Sequence, residues 1–365
     1  MQLKAFAKHN AVMLAAFFAA AVTVIFVPFD ASYAGYLDYK TLVCLFCVLA
    51  VVCALRDANF FYVLACRIVR VFKTSRMCVL ALVYITFLGS MLITNDTALL
   101  TFLPLGYFVL ASTGKQRYLP FTFIMQNMAA NLGGMLTPFG NPQNLYLYTK
   151  YNIPTGEFLH IMLPPFLVSM LLITVCCLFV KSEPLTVSEN NAEFKPRSAA
   201  LYLALFALAV AVVLRAVPLW VGLAVIPAVL IVSDSHALQA VDYSLLLTFV
   251  FFFVFAGNMA RIEAVRDFFS MLMEKNTLLY SALSCQIISN VPSAILLSQF
   301  TQNYAELLRG VNIGGAGTLI ASLASLITFS EYIRHEPSGA KRFVIEFSVF
   351  NFAFLAVLLI IFSIV

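Results

Sequence analysis

Apolar runs of about 16 to 23 residues recur along this chain from Ala11 to Val365, and each is close to the ~20 residues a helix needs to cross the hydrocarbon core of a bilayer. In lipid, every backbone amide and carbonyl must find its partner inside the protein, so runs of this length read as helices and exclude open sheets. Only 11% of the residues are charged and 62% are hydrophobic, far from the roughly one quarter charged of soluble chains. The expected fold is therefore an all-α polytopic, multi-pass membrane protein whose standing partner is the lipid bilayer. The first run follows Lys4 and Lys8, yet no small-residue cleavage site precedes the polar DASYAGYLDYK, so it reads as a span and not as a signal peptide. The formal charge of +5 calls for no nucleic-acid partner, because the basic residues fall in short loops, where they set topology.

Breakers divide the chain into about nine spans, near 10–28, 40–55, 119–148, 158–180, 198–217, 219–233, 243–260, 311–333 and 343–364. The stretch 77–112 does not fit as one crossing. Arg67, Arg70, Lys73 and Arg76 precede it and Lys115 and Arg117 follow it, so both ends belong on the cytoplasmic side. Its halves, 77–92 and 97–112, are about 24 Å each at ~1.5 Å per residue, and ITND, Ile93 to Asp96, joins them. A re-entrant hairpin with a polar tip near mid-membrane satisfies both facts. It places fifteen Lys and Arg inside and seven outside, with the N-terminus cytoplasmic in the cell membrane. A second segment, 277–300, carries a matching tip, ISNVPS, at Ile288 to Ser293.

The two halves share landmarks in the same order. LDYKTLVCLFCVLAVV at 37–52 aligns with VDYSLLLTFVFFFVFA at 241–256; amphipathic stretches near 57–72 and 261–275 follow and read as interfacial arms. Then come the tips, ITNDTALLTF and ISNVPSAILL, and the runs NLGGMLTPFGNPQN and NIGGAGTLIASLAS. Asp38 falls outside and Asp242 inside, so the expected organisation is two inverted repeats, 1–180 and 198–365, with broken helices at 119–148 and 311–333. Span 198–217 has no counterpart in the first repeat. The polar linker 181–197 is expected to be a mobile cytoplasmic loop. Inverted repeats whose broken helices meet at mid-membrane are an architecture of secondary transporters.

These motifs resemble the ion transporter superfamily, which includes divalent-anion:sodium symporters, citrate transporters, arsenite permeases and one class of sodium/proton antiporters. ITNDTALL and SNVPSAILL resemble its hairpin tips, GGMLTPFGNPQN its unwound helix, and the DY openings its Asp-Trp helix starts; the likeness runs from about residue 11 to 364. Tip one carries Thr-Asn-Asp where the symporters carry Ser-Asn-Thr, closer to the arsenite-permease style. Tip two carries Ser-Asn-Val, and the second unwound stretch lacks the usual proline and second asparagine. The resemblance implies one cation among Thr94, Asn95, Asp96, Gly134 and Thr137, and a second among Ser289, Asn290, Gly315 and Thr318. Substrate would lie between Asn95, Asn290, Thr137, Pro138 and Ser322. It also implies a homodimer.

Backbone leaves the helix at membrane depth only where protein or a water-filled cavity receives it, so MLTPFGNPQN is expected to line a binding site. Asn141 before Pro142 reads as the N-cap and first-turn proline of the returning half-helix. Asp96 is the one carboxylate deep in an apolar run, which points to an ion or proton relay; it also stands where it could cap a helix starting at Thr97. Asn290 is open to the same two readings, cap or ligand. The glycine pairs serve close packing equally well. Neither a catalytic triad, a phosphate loop nor clustered metal-binding motifs can be read from the sequence, and Cys44 and Cys47 read as packing. No cofactor is expected beyond Na+ or H+ as coupling ion, and no enzyme activity. The expected function is secondary active transport of a small anion, a di- or tricarboxylate or an inorganic oxyanion, coupled to sodium or protons by alternating access. Arsenite efflux or sodium/proton antiport on the same fold is the first alternative, and an intramembrane enzyme acting on lipid the second.

Overall fold

The computed structural model describes residues 10–185 and 196–364, and among them secondary structure is helical apart from one isolated bridge. Lys4, Lys8 and linker residues 186–195 lie outside the described residues. The first half runs α1 (Ala11–Phe26), a 3₁₀ turn at Ala31–Gly35, α2 (Tyr39–Asp57), α3 (Phe60–Arg70), α4 (Ser75–Leu92), α5 (Asn95–Ser112), α6 (Leu119–Gly133), α7 (Pro142–Lys150) and α8 (Thr155–Leu178). The second half opens with α9 (Pro196–Val213), α10 (Leu219–Ser233) and the short α11 (Ser235–Gln239). It continues with α12 (Tyr243–Arg261), α13 (Glu263–Ile288), α14 (Asn290–Leu297), α15 (Tyr304–Ile313), α16 (Leu323–His335) and α17 (Ala340–Ile364).

Local chemistry sets these boundaries. The Asp38 carboxylate accepts from the amide of Thr41 at 3.1 Å and that of Asp242 from Leu245 at 2.9 Å, so both DY openings are side-chain N-caps. Each starts a helix of 19 residues. The second arm and the first limb of the second hairpin run together in α13, kinked at Asn276 (φ −168°, ψ 94°), whose side chain accepts from the amide of Leu279 at 2.8 Å and restarts the helix. In the first hairpin the Phe102 ring lies so close to Gly89 that a Cβ there would come within 2.6 Å of it, which is why a glycine stands at that point of α4.

Among the described residues, five helical stretches are long and apolar enough to cross a membrane: Tyr39–Asp57, Ser75–Leu92, Thr155–Leu178, Ser235–Arg261 and Pro337–Ile364. Ala11–Phe26, Arg197–Val213 and Leu219–Ser233 are shorter apolar helices. The fold is thus all-α and polytopic. Both first-hairpin helices have 18 residues, about 27 Å at the usual rise, so the hairpin reaches deeper than its apolar halves suggest. Elements α2 to α8 have counterparts in α12 to α17, with α13 standing for both α3 and α4, and α1, α9, α10 and α11 stand outside that correspondence.

Packing groups the helices, and α12 bridges the groups by packing on α14 as well as on α1. In one, α1 lies along α12 and α2 packs against α9 and α10; in the other, α4 and α5 pack on α6, and α13 packs on α15. Arg215, between α9 and α10, links them by donating to the carbonyls of Tyr148 (2.7 Å) and Ile153 (3.1 Å) at the end of α7. The linker departs from the expected mobile loop in its first residues. Residues 181–185 run antiparallel to the start of α4, with Ser75 donating to the Glu183 carbonyl at 2.8 Å and Leu185 to that of Lys73 at 3.0 Å. Glu183 pairs with Lys115 at 2.7 Å and also with Arg117, so both feet of the hairpin are strapped together.

Candidate substrate and cation site

Both tips are built the same way. The amide of Asn95 donates to the carbonyl of Gly140 at 3.1 Å, and that of Asn290 to the carbonyl of Ala321 at 2.9 Å. Each asparagine's Oδ1 accepts from the next residue's amide, Asp96 at 3.0 Å and Val291 at 2.9 Å. The Thr137 hydroxyl donates to the Met91 carbonyl at 2.7 Å and the Thr318 hydroxyl to the Gln286 carbonyl at 3.1 Å. Every buried polar group at membrane depth needs a partner, and the motifs supply these partners in matching pairs.

The two breaks are also tied to each other. Asn141 Nδ2 donates to Asn312 Oδ1 at 3.0 Å, while Ser322 Oγ donates to Asn131 Oδ1 at 2.8 Å. Asn95 Nδ2 joins the same Asn131 oxygen at 3.1 Å. A carboxamide braces each break from within. Asn144 Nδ2 donates to the carbonyls of Met135 (3.1 Å) and Thr137 (3.2 Å). Gln286 Nε2 donates to those of Gly314 (2.8 Å) and Ala316 (3.1 Å), and its Oε1 accepts from the Thr318 amide at 2.9 Å.

Between the tips lies a cavity of about 40 Å³ lined by Asn95, Asp96, Ser289, Asn290 and Ser322, with Pro142, Gln143 and Leu323 beside them. Four helices, α5, α7, α14 and α16, therefore present their first residues to one small space. A helix N-terminus offers unpaired N–H groups and the positive end of the peptide dipoles. Among the described residues no Lys or Arg lines this space. Several side-chain atoms around it are buried without a hydrogen-bond partner: the acceptors Asp96 Oδ1, Asn141 Oδ1 and Gln143 Oε1, and the donor Asn131 Nδ2. The surplus of acceptors, one of them a carboxylate oxygen, suits a small cation, whereas the helix starts suit an anion.

Of the residues singled out in the sequence, Asn95, Asp96, Ser289, Asn290 and Ser322 share the cavity; the others flank it. Thr94 pairs with Thr97 at 2.9 Å, Thr137 and Thr318 staple the breaks to the hairpins, and Pro138 is buried in the first break. Gly134 faces the Asn141 side chain, and a Cβ on Gly315 would lie 3.4 Å from Asn290 Nδ2. Asp96 caps nothing: the helix starts two residues before Thr97, at Asn95, and Asp96 sits in its first turn. Asn141 holds the N-cap position without a capping bond, because its amide is turned to Asn312. Asn290 opens α14 as its first residue, behind Ser289 at φ +74°. Gln143, Asn144 and Gln286 were not singled out; the first two stand in the quoted GNPQN, but Gln286 sits in a run that reads as apolar. The fold also gathers Asp57, Asp234 and His236 at the surface, their ligand atoms within 4.8 Å of one another, with His236 Nδ1 2.8 Å from Asp57.

Paired hairpins whose tips meet two broken helices around a small cavity form a membrane transporter. A family model described as citrate transporter matches residues 5–328, and the chain belongs to that family. It is 35% identical over 292 residues to an uncharacterized transporter, MJ0456, of Methanocaldococcus jannaschii, covering 80% of each chain. It is 30% identical over 311 residues to the inner membrane protein YbiR of Escherichia coli K12, covering 83% of this chain and 82% of that protein. Family and relatives indicate a transporter rather than an enzyme.

Proposed function

We propose that the protein is a secondary active transporter that moves a small anion, a carboxylate or an inorganic oxyanion, together with a cation, sodium or a proton. The observation that carries this reading is the convergence of α5, α7, α14 and α16 on one cavity that, among the described residues, no Lys or Arg lines. Four positive helix ends attract an anion, but Asp96 repels it unless a proton or metal ion neutralises that carboxylate first. Cation and anion thus bind together or not at all, which is the thermodynamic requirement for coupling. The cation uses Asp96 with the acceptors around Asn95, Thr137 and Gln143, and the anion uses the N–H groups at Asn95, Asn290 and Ser322. A cavity of about 40 Å³ admits a small ion and a water or two but no tricarboxylate, so loading requires the hairpins to part. The body containing the hairpins moves against α2, α9, α10 and α12 in this scheme, and Arg215 releases α7 in each cycle.

Asp96 Oδ1, buried without a partner, favours one second reading on the same fold: cation/proton exchange or arsenite efflux, in which the carboxylate itself carries the coupled ion. Thermal stability of the purified protein in sodium, at graded pH, and with citrate, succinate, sulfate, phosphate or arsenite separates the two, since a ligand bound only by the folded state raises the melting point. Stabilisation by cation plus one anion beyond the sum of each alone supports symport. A response to cation or pH only, abolished in Asp96→Asn, supports exchange.

A further inference from the structure

Away from the polar centre lies a cavity of about 490 Å³, walled by Phe60, Phe61 and Leu64 of α3, Tyr84 and Leu88 of α4, and Phe206 of α9. Its remaining lining is likewise aliphatic or aromatic, and the single hydroxyl among these side chains, that of Tyr84, is engaged by Thr174 at 2.5 Å. Packed interiors tolerate few voids larger than a water, and water entering here would find no hydrogen-bond partners. The cavity opens sideways: Leu64, Leu88 and Leu92 on its wall are 48%, 53% and 48% exposed. In a protein that sits in a bilayer, hydrocarbon from the surrounding lipid reaches such an opening first.

Its rim carries the opposite character. Arg67 stands three residues after Leu64, on the same side of α3, and Lys73 follows Phe72, which lines the cavity; both basic residues are exposed. An apolar slot beneath a cationic rim fits an amphiphile with a negative head. Cytoplasmic leaflets carry anionic lipid, and basic segments at the membrane edge bind it.

We propose that this cavity holds one acyl chain of an anionic glycerophospholipid whose phosphate lies against Arg67 and Lys73. The chain would rest between the first hairpin and α9, with Gly89 and Phe102 beneath it, one turn of α4 short of the Ile93–Thr94 tip. The lipid then acts as a spacer at that seam, so leaflet composition sets how tightly the hairpin seats.

The test is native mass spectrometry of the full chain purified in mild detergent, offered phosphatidylglycerol or phosphatidylcholine with identical acyl chains. One phosphatidylglycerol is expected to be retained per protein, at least about fivefold more than phosphatidylcholine, the factor one basic residue supplies near a membrane surface. Leu88→Trp plugs the half-exposed mouth and Ala81→Leu fills the interior; each is expected to lose the retained lipid. Arg67→Gln with Lys73→Gln should equalise the two lipids. Equal retention of both lipids by the wild type, or unchanged retention in a folded Leu88→Trp or Ala81→Leu protein, overturns the proposal. None of these variants touches the residues around Asp96, so the outcome is independent of what is transported.

Discussion

Asn141, at the end of the first break, donates its side-chain amide across the molecule to Asn312, at the start of the second, over 3.0 Å, and both side chains are buried. Asn312 also accepts from Gln143 at 3.2 Å and donates to Asn144 at 2.6 Å. One residue of the second half therefore organises three of the first.

Asn312→Ala should be the more damaging of the two truncations. It strands several buried polar groups, and each costs about 1–3 kcal/mol when left unpaired. A double-mutant cycle of Asn141→Ala and Asn312→Ala, read by unfolding of the purified protein, should give a coupling of roughly 0.5–2 kcal/mol. Additive effects would mean that the two breaks are held together by packing alone.

On the proposed reading, Asp96→Asn should keep the fold and lose the coupling cation. The substitution removes a half-buried carboxylate whose Oδ1 is buried without a partner, so the melting point without ligand should hold or rise. Apparent affinity for the coupling cation should fall about tenfold or more, the loss expected when one charged partner goes. Titration of ligand-induced stabilisation in wild type and variant reads both effects.

Ser289 holds φ +74° and ψ 160° at the second tip, a region that side chains other than glycine's enter at a cost of about 1–3 kcal/mol. Its hydroxyl makes only long contacts, 3.4 Å to Asn290 Oδ1 and 3.4 Å to the Ala321 carbonyl. Ser289→Gly should therefore stabilise the protein by about 1 kcal/mol, and Ser289→Ala should not. Both variants proving less stable than the wild type would show that the hydroxyl, not the backbone, governs this position.

Outside the membrane, a bidentate pair joins Arg261 to Asp30, with Nη2 2.7 Å from Oδ2 and Nη1 3.1 Å from Oδ1. The hydrogen-bonded guanidinium holds the Asp30 carboxyl below its usual range. A lowered folded value means that the contribution to stability is present above the ordinary carboxylate pKa and is lost as pH falls through the folded one. Stability of wild type minus that of Asp30→Asn should shrink on acidification through that range and stay level above it; denaturant titration at several pH values measures the difference.

Short-range chemistry was legible in the sequence: Asp38 and Asp242 could be read as matching helix starts, and Asn276 falls at the boundary expected between arm and hairpin. The start of α15 was not legible. Reading from the apolar run placed it at 311, but the helix begins at Tyr304 because the Asn303 side chain accepts from the Glu306 amide at 3.3 Å, and Glu306 and Arg309 broke the apolar pattern that marks a span. The cross-molecule bonds were hidden for a different reason. An asparagine's position shows that it must be satisfied, but its partner, as with Asn141 and Asn312 or Asn131 and Ser322, is set by how the halves dock. Gln286 illustrates the limit, since a lone amide within an apolar run carries no period and no motif.

The four helix starts around the cavity bear on release as well as binding. A ligand held by a lysine or arginine leaves only after an ion pair is broken, and that pair travels with the side chain. On the proposed reading the holding field is a sum of backbone ends brought together by closure of the hairpins, so it weakens as soon as any one helix withdraws. On the proposed reading, opening and unloading are one event: the grip dissolves with the geometry that made it, and the anion meets no residual charge trap on its way out.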